Sequence, residues 1–378
     1  MSELVAIDLP AARAVGALRS VWDAGDTALM VDQRLPAAAR RRLLEALRPA
    51  AIVDSGAGPA RRRRIDVESP PTDDGDALVV ATSGTTGQPK GVVLTHAAVA
   101  AHGRAVHARL SVDPATDRWL ACLPLAHIGG LGVVTRAFVT GTPLTVLDHF
   151  APELVRAASA GSCQCTLVSL VPTALGRTDT SGYRWVVLGG SADAAGRSPN
   201  VVHTYGLTES GGGVVYAGQP LDDVEVRIVD GEIQLRGPTL LRAYRDGTDP
   251  FDADRWLPTG DLGRLAADGT LVVDGRRSDL IVTGGENVWP ETVEAALATH
   301  PSVGEVAVAG RPDHEWGERI VAFVVPRSRI DPPTLIQLRD HAKRTLPGFA
   351  APRQLVLVAS LPRSALGKVR RDALPHQT

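Results

Sequence analysis

The stretch Thr82-Ser-Gly-Thr-Thr-Gly-Gln-Pro-Lys-Gly91 gathers hydroxyls at Thr82, Ser83, Thr85 and Thr86 and an ammonium at Lys90. Gly84, Gly87 and Gly91 lie among them and let backbone N–H groups come close to a ligand. Amide donors, hydroxyl donors and a mobile point cation are what a polyphosphate cradle needs. An apolar run, Ala77 to Ala81, precedes the stretch and Val92-Val-Leu94 follows it, so it reads as a loop between two strands. It is not the other common phosphate loop, in which Gly-Lys-Ser/Thr opens a helix. Of 40 basic residues only Lys90, Lys343 and Lys368 are lysine. A chain that uses arginine for generic cations keeps a lysine where a compact ammonium is required. Lys90 and Lys368 each adjoin a glycine, whereas Lys343 lies in a helical pattern and reads as solvated.

Further stretches carry polar side chains beside glycines. They are Leu123-Pro-Leu-Ala-His127-Ile-Gly-Gly130, Val187-Leu-Gly189-Gly190-Ser191, Tyr205-Gly206-Leu-Thr208-Glu209-Ser210, Thr259-Gly-Asp261, Arg276, Thr283-Gly284-Gly285-Glu-Asn and Leu361-Pro-Arg-Ser-Ala-Leu-Gly-Lys368. In this order, with the first loop ending in Pro-Lys-Gly, they resemble the adenylate-forming superfamily: acyl-CoA synthetases, luciferases and the adenylation domains of peptide synthetases. The resemblance runs from about residue 76 to 371. It implies that Thr82 to Gly87 and Lys90 cradle the ATP phosphates. Gly189, Gly190, Ser191, Tyr205 and Gly206 then face the adenine, where an aromatic face can stack on the base. The Thr208 hydroxyl reaches the α-phosphate and Glu209 holds Mg²⁺, a cation that takes few protein carboxylates and several phosphate oxygens. Asp261 and Arg276 bind the ribose; a carboxylate can accept from both hydroxyls. His127 lines the acyl pocket, Gly211 and Gly212 leave room for the acyl group, and Gly284 and Gly285 line the pantetheine channel. Lys368 stabilises charge on the reacting carboxylate and α-phosphate. The family's hinge position, two residues after the ribose-binding arginine, is usually Asp or Lys and here is Ser278, which leaves the energetics of the pivot open.

The elements that position these residues alternate. Helical patterns cover Ala11–Trp22 and Ala37–Leu47, with strands at Ala28–Val31 and Ala51–Val53. Thr95 is an N-cap for a helix reaching Leu110. Strands at Trp119–Leu123, Leu144–Leu147, Thr166–Ser169 and Trp185–Leu188 alternate with helices, which indicates a mainly parallel sheet. From Val224 short strands with tight turns predict a small β subdomain. After Gly275 comes a βα tail with helices at Pro290–Ala298 and Pro333–Arg344. The expected fold is α/β. A large N-terminal domain, 1–277, combines layered α/β sheets with the β subdomain, and a small mobile α+β domain, 279–378, follows. The segment ahead of the phosphate loop is short for the family, so part of the usual N-terminal subdomain is expected to be missing.

A net charge of −2 and a pI near 6.6 give no reason to expect nucleic acid or an anionic membrane as partner. Arg61 to Arg64, the strongest basic run, reads as a solvated loop. Cys122, Cys163 and Cys165 fit neither zinc spacing nor a disulfide framework and suit a reduced, cytoplasmic protein. No signal peptide or spanning segment is evident. A homodimer stays open.

The implied activity is AMP-forming acid–thiol ligation using ATP, Mg²⁺ and coenzyme A. Ile128-Gly-Gly-Leu-Gly followed by Arg136, together with Thr-Glu-Ser-Gly-Gly-Gly, most resembles the 2-succinylbenzoate–CoA ligases of menaquinone synthesis. There, Arg136 and Gly130 would contact the substrate, Arg136 receiving its second carboxylate; the alternative is an ion pair with an internal acid. Another aryl- or fatty-acyl-CoA ligase would share every ATP motif. A non-catalytic adenylate-binding protein should have lost Lys368, Glu209 or the loop hydroxyls, and this chain has not.

Overall fold

Runs of Val, Ile, Leu and Ala form the strands that carry the candidate site, because β-branched and aliphatic side chains pack well on a pleated surface. The computed structural model describes residues 2–55, 59–65, 67–83, 89–160, 163–190, 198–363 and 369–375. The expected site residues Gly84, Thr85, Thr86, Gly87, Ser191 and Lys368 lie outside the described residues, as does the side chain of Ser83.

The chain divides into two compact units. One holds Met1–Val229, Gln234–Thr259 and Leu265–Val272; the other holds Asp230–Ile233, Gly260–Arg264 and Val273–Thr378. The first contains two seven-stranded sheets. In the first sheet Asp76–Ser83, Thr27–Met30, Leu4–Asp8 and Ala51–Asp54 run parallel. Pro89–Thr95 and then Ala243–Tyr244 extend one side antiparallel. In the second sheet Leu144–Val146, Trp119–Ala121, Leu167–Leu170, Trp185–Leu188 and Val201–Leu207 are parallel, and Gly212–Tyr216 and Gln219–Pro220 turn antiparallel. The carboxyl ends of such parallel strands are where α/β sheets bind ligands. A four-stranded sheet of Glu225–Val229, Glu232–Arg236, Leu257–Leu265 and Leu271–Arg276 is the expected β subdomain.

Arg61–Arg64 is a strand, where a solvated loop was expected. It closes the free side of the first sheet by pairing with Ala51–Asp54. Arg62 pairs with Glu3 and Asp26, Arg63 with Asp54 and Arg64 with Glu3. Glu3, Asp26 and Asp54 thus accept Arg62, Arg63 and Arg64, and charge on an exposed edge discourages pairing with another chain.

Two helices of the first unit carry or adjoin His127 and Arg136, the residues expected at the acyl pocket. Thr95 caps His96–Leu110 by accepting from the Ala98 N–H at 3.1 Å, as its sequence position predicts. The second, Ile128–Thr140, starts after His127 and ends at Gly141, which adopts φ +70°. The two helices pack against each other at Gly103, where a Cβ would lie in ordinary contact, 3.5 Å, with the Arg136 Cα.

In the second unit Glu286–Val288, Ile281–Thr283, Gly317–Pro326 and Val303–Asp313 form a sheet in that order, with Gln354–Leu357 parallel to Gly317–Pro326. Helices Pro290–Ala298 and Leu335–Ala342 accompany it, and Val293, Leu297 and Leu338 are fully buried in its core. Among the described residues no helix is long and apolar enough to cross a membrane.

Candidate active site

The strands Asp76–Ser83 and Pro89–Thr95, which carry the expected phosphate ligands Thr82, Ser83 and Lys90, pair antiparallel, Thr82 with Lys90 and Ser83 with Pro89. The Thr82 hydroxyl donates to the Lys90 carbonyl at 3.5 Å. Gly91 is glycine for space: a Cβ there would meet Val79 at 2.7 Å and Leu47 and Arg245 at 2.9 Å. Lys90 is exposed, with Nζ 5.2 Å from the Tyr244 ring centroid.

Tyr205 and Gly206 end the strand Val201–Leu207, and Thr208–Ser210 is a 3₁₀ turn. Buried Ser210 fixes that turn, its hydroxyl accepting from the Leu207 N–H at 2.8 Å and donating to the Gly212 carbonyl at 2.8 Å. Gly211 and Gly212 adopt φ +73° and +125°, and a Cβ at Gly206 would sit 1.9 Å from the Gly212 oxygen. The chain therefore doubles back tightly, leaving the Thr208 and Glu209 side chains on the outside of the turn. The Tyr244 hydroxyl donates to Glu209 Oε1 at 3.0 Å, and the Leu241 N–H donates to the Glu209 carbonyl at 2.7 Å. Gly189 and Gly190 follow the adjacent parallel strand Trp185–Leu188; Gly190 has φ +90° and a Cβ at Gly189 would face the Thr204 hydroxyl at 3.6 Å. Among the described residues no three His, Cys, Asp or Glu side chains converge on a metal site. A lone carboxylate at Glu209 fits an Mg²⁺ that arrives with ATP and is held mostly by phosphate oxygens and water.

His127 and Arg136 are the residues expected at the acyl pocket. His127 Nε2 lies 3.4 Å from Asp32 Oδ2 without the alignment of a hydrogen bond. Asp32 follows the strand Thr27–Met30, and Arg34 grips it through Nε at 2.9 Å and Nη2 at 2.7 Å. Burial pushes the Asp32 carboxyl up, but His127 and Arg34 outweigh it and hold the group well below the usual carboxylate range. Gly130 packs under this turn, where a Cβ would be 2.5 Å from the Leu123 and Pro124 carbonyls.

Arg136 is 5% exposed. Its Nε and Nη1 have no hydrogen-bond partner, and among the described residues no carboxylate lies within ion-pair distance of it. The internal acid considered as an alternative is absent from the described part of the fold. Instead the guanidinium lies over the fully buried Trp119, Cζ 4.6 Å from the ring centroid. Burial lowers the arginine's pKa. His102 and His107 flank it in neutral form. Burial, then Arg136, depress His102 to about 3 against the pull of the Gly213 carbonyl. Burial and Arg136 depress His107 to about 4. His102 Nε2 lies 3.0 Å from the Gly213 carbonyl and must donate to it, since a carbonyl only accepts. Trp119 Nε1 donates to His107 Nε2 at 3.0 Å, which puts the His107 proton on Nδ1. Much of the space beside Gly211 and Gly212 belongs to His102, whose ring would lie 3.3 Å from a Gly212 Cβ. A Cβ at Gly132 would lie 3.6 Å from Arg136 Nη2 and 3.7 Å from the Gly211 carbonyl.

In the second unit Asp261 is 5% exposed and receives Arg276 Nε at 2.8 Å, so the two expected ribose ligands are in contact. Ser278 sits in the turn Arg277–Asp279 and donates to Asp279 Oδ1 at 3.2 Å. Gly284 and Gly285, with φ +61° and +82°, make the two-residue turn joining Ile281–Thr283 to Glu286–Val288. Arg371, shortly after Lys368, pairs with Asp279 at 3.2 Å, Glu291 at 2.8 Å and Glu294 at 3.0 Å.

The AMP-binding enzyme family matches residues 23–245, and its C-terminal domain matches 292–368. The chain belongs to this family of AMP-binding enzymes. A probable 2-succinylbenzoate–CoA ligase of Mycobacterium tuberculosis is 41% identical over 327 residues, covering 80% of this chain and 84% of the relative. The o-succinylbenzoate CoA synthetase of Bacillus subtilis, solved with the acyl-adenylate intermediate, has a TM-score of 0.86 at 28% identity over 100% of this chain and 88% of its own. The same synthetase with ATP and magnesium has a TM-score of 0.84 at 27% identity, covering 98% and 88%. Against this AMP-binding fold, sequence reasoning missed Asp32, His102, Trp119 and Tyr244. Each reaches its site partner from a distant stretch of chain and lies outside the glycine-rich motifs.

Proposed function

We propose that this AMP-binding enzyme is a 2-succinylbenzoate–CoA ligase of menaquinone biosynthesis. The substrate's aliphatic carboxylate attacks the α-phosphorus of ATP, forming acyl-AMP and releasing pyrophosphate. The CoA thiol then attacks the acyl carbon and AMP leaves. Lys90, Thr82 to Gly87 and Glu209 serve the phosphates and Mg²⁺, Tyr205 with Gly189 to Ser191 the base, and Asp261 and Arg276 the ribose. Lys368 acts in adenylation, and residues 279–378 turn about Ser278 so that Gly284 and Gly285 reach pantetheine for the second step. Three free cysteines suit a reducing compartment, the cytoplasm.

The observation that carries the choice of acid is Arg136. A buried guanidinium with unmade hydrogen bonds and, among the described residues, no internal acid is costly unless a ligand completes it. A dicarboxylate does so with its second carboxylate while the first reacts, because guanidinium and carboxylate match in bidentate geometry. The test is CoA ligation across 2-succinylbenzoate, benzoate and a monocarboxylate analogue, with Arg136→Ala alongside the native enzyme. The variant is expected to raise KM for 2-succinylbenzoate at least tenfold, to leave KM for ATP unchanged and to narrow the preference over the monocarboxylate. An unchanged preference ratio in a folded variant rejects this assignment of the acid.

A further inference from the structure

Tyr244 touches both charged groups of the proposed phosphate site. Its hydroxyl donates to Glu209 Oε1 at 3.0 Å. Its ring faces the Lys90 ammonium, 5.2 Å from Nζ to centroid. No ion pair joins Lys90 to Glu209 among the described residues, and the Tyr244 phenol contacts each through a different part of itself.

The backbone holds the phenol there from both sides. Tyr244 pairs with Val92 of the phosphate hairpin, the Arg245 N–H donates to the Gly91 carbonyl at 2.7 Å, and the Arg242 N–H donates to the Val93 carbonyl at 2.9 Å. Just upstream, the Leu241 N–H donates to the Glu209 carbonyl at 2.7 Å. The flanking arginines anchor the segment further. Arg242 Nε and Nη2 each donate to buried Asp76 at 2.8 Å, and Arg245 donates to the Pro71 carbonyl at 2.9 Å. Leu241 to Arg245 thus stitches the turn that carries Glu209 to the hairpin that carries Lys90, with the phenol at the seam.

We propose that Tyr244 is a positioning residue that keeps Lys90 and Glu209 apart and oriented before nucleotide binds. It directs one carboxylate oxygen through its O–H, leaves the other for the magnesium that accompanies ATP, and lends its ring to the ammonium until the phosphates take it. The inference rests on the reading of Lys90 and Glu209 as phosphate and Mg²⁺ ligands. Neither charge is spent on the other, so the site is preorganised for a ligand that carries both signs.

Calorimetric titration with Mg·ATP, and with ATP in EDTA, tests this on the full chain without turnover. Tyr244→Phe removes only the O–H. It is expected to weaken Mg·ATP binding by roughly tenfold or more, the loss typical of a hydrogen bond to a charged group, and to leave metal-free ATP binding as in the native protein. Tyr244→Leu also removes the ring and is expected to weaken both. Glu209→Gln is expected to weaken Mg·ATP binding, and adding Tyr244→Phe to it is expected to cost nothing further, because the two act through one contact. Native-like Mg·ATP affinity in Tyr244→Phe, or additive losses in the double variant, overturns the proposal. If Glu209→Gln and Lys90→Ala themselves bind Mg·ATP normally, the reading beneath it fails as well. Tyr244→Phe keeps the ring packing, so the test stands even if Tyr244→Leu folds poorly.

Discussion

Asp32 and His127 stand 3.4 Å apart, carboxylate to imidazole, on segments from two different sheets. Asp32 is buried and gripped by Arg34, and its pKa is depressed. A carboxyl whose folded pKa lies below its unfolded value of 3.8 stabilises the protein above that pH and loses the contribution as pH falls through the folded value. Asp32→Asn should therefore lower the urea midpoint at neutral pH, and its deficit should shrink as both proteins are acidified below about pH 4. A deficit that is the same at neutral and acid pH would show that charge is not what Asp32 contributes.

His102 carries the opposite kind of shift. It stays neutral in the fold down to about pH 3, whereas in the unfolded chain it takes a proton near 6.5. Below pH 6.5 the unfolded state binds the extra proton, so stability falls on acidification by about 1.4 kcal/mol per pH unit from this ring. His107, depressed to about 4, adds in the same direction. His102→Gln retains an N–H donor for the Gly213 carbonyl and should flatten the slope of unfolding free energy between about pH 5.5 and 4 by that amount. An unaltered slope in denaturant titrations would contradict the buried, neutral assignment.

Arg136 should trade stability for specificity. Among the described residues two of its nitrogens are buried without partners, each costing about 1–3 kcal/mol, while the desolvated contact with Trp119 returns about 2 kcal/mol. Methionine fills a similar volume and keeps a favourable sulfur–ring contact. Arg136→Met should then raise the thermal midpoint of the ligand-free protein and raise the His102 pKa, since Arg136 is one cause of its depression. Differential scanning fluorimetry and an NMR titration of the histidines read the two effects. A drop in midpoint with an unmoved His102 would mean that the arginine is satisfied by water.

The turn that presents Glu209 depends on one glycine. An alanine Cβ at Gly206 would lie 1.9 Å from the Gly212 oxygen and 2.7 Å from the Gly213 Cα, all backbone that cannot rotate away. Gly206→Ala should cost about 3 kcal/mol or more and abolish ATP binding. Gly129 is the control: it is exposed on a helix, and a Cβ there meets only Leu123 at 3.7 Å. Gly129→Ala should be neutral or stabilising by about 0.5–1 kcal/mol. Chemical denaturation of the pair distinguishes steric need from a general glycine preference.

The local parts of this protein are written in its sequence. The apolar runs flanking Thr82–Gly91 became two strands that pair with each other, because each run is the other's near neighbour in the chain. Helices Ala37–Leu47 and Pro290–Ala298 have the expected limits, since a proline just before the first and at the start of the second marks each beginning. The order of the glycine-rich motifs identified the family. What only the tertiary structure decided are the contacts between residues far apart in the chain. Arg61–Arg64 is polar and has no strand-like alternation. It became a strand because Ala51–Asp54 presents an open edge and because Glu3, Asp26 and Asp54 lie within reach of its arginines. Tyr244 reaches Glu209 and Lys90 because a two-residue strand pairs with the phosphate hairpin. Arg136 could have met an internal acid or none, and the helix alone could not choose. The fold placed it on Trp119 between two neutral histidines, a choice made by packing among elements whose relative positions no local periodicity encodes.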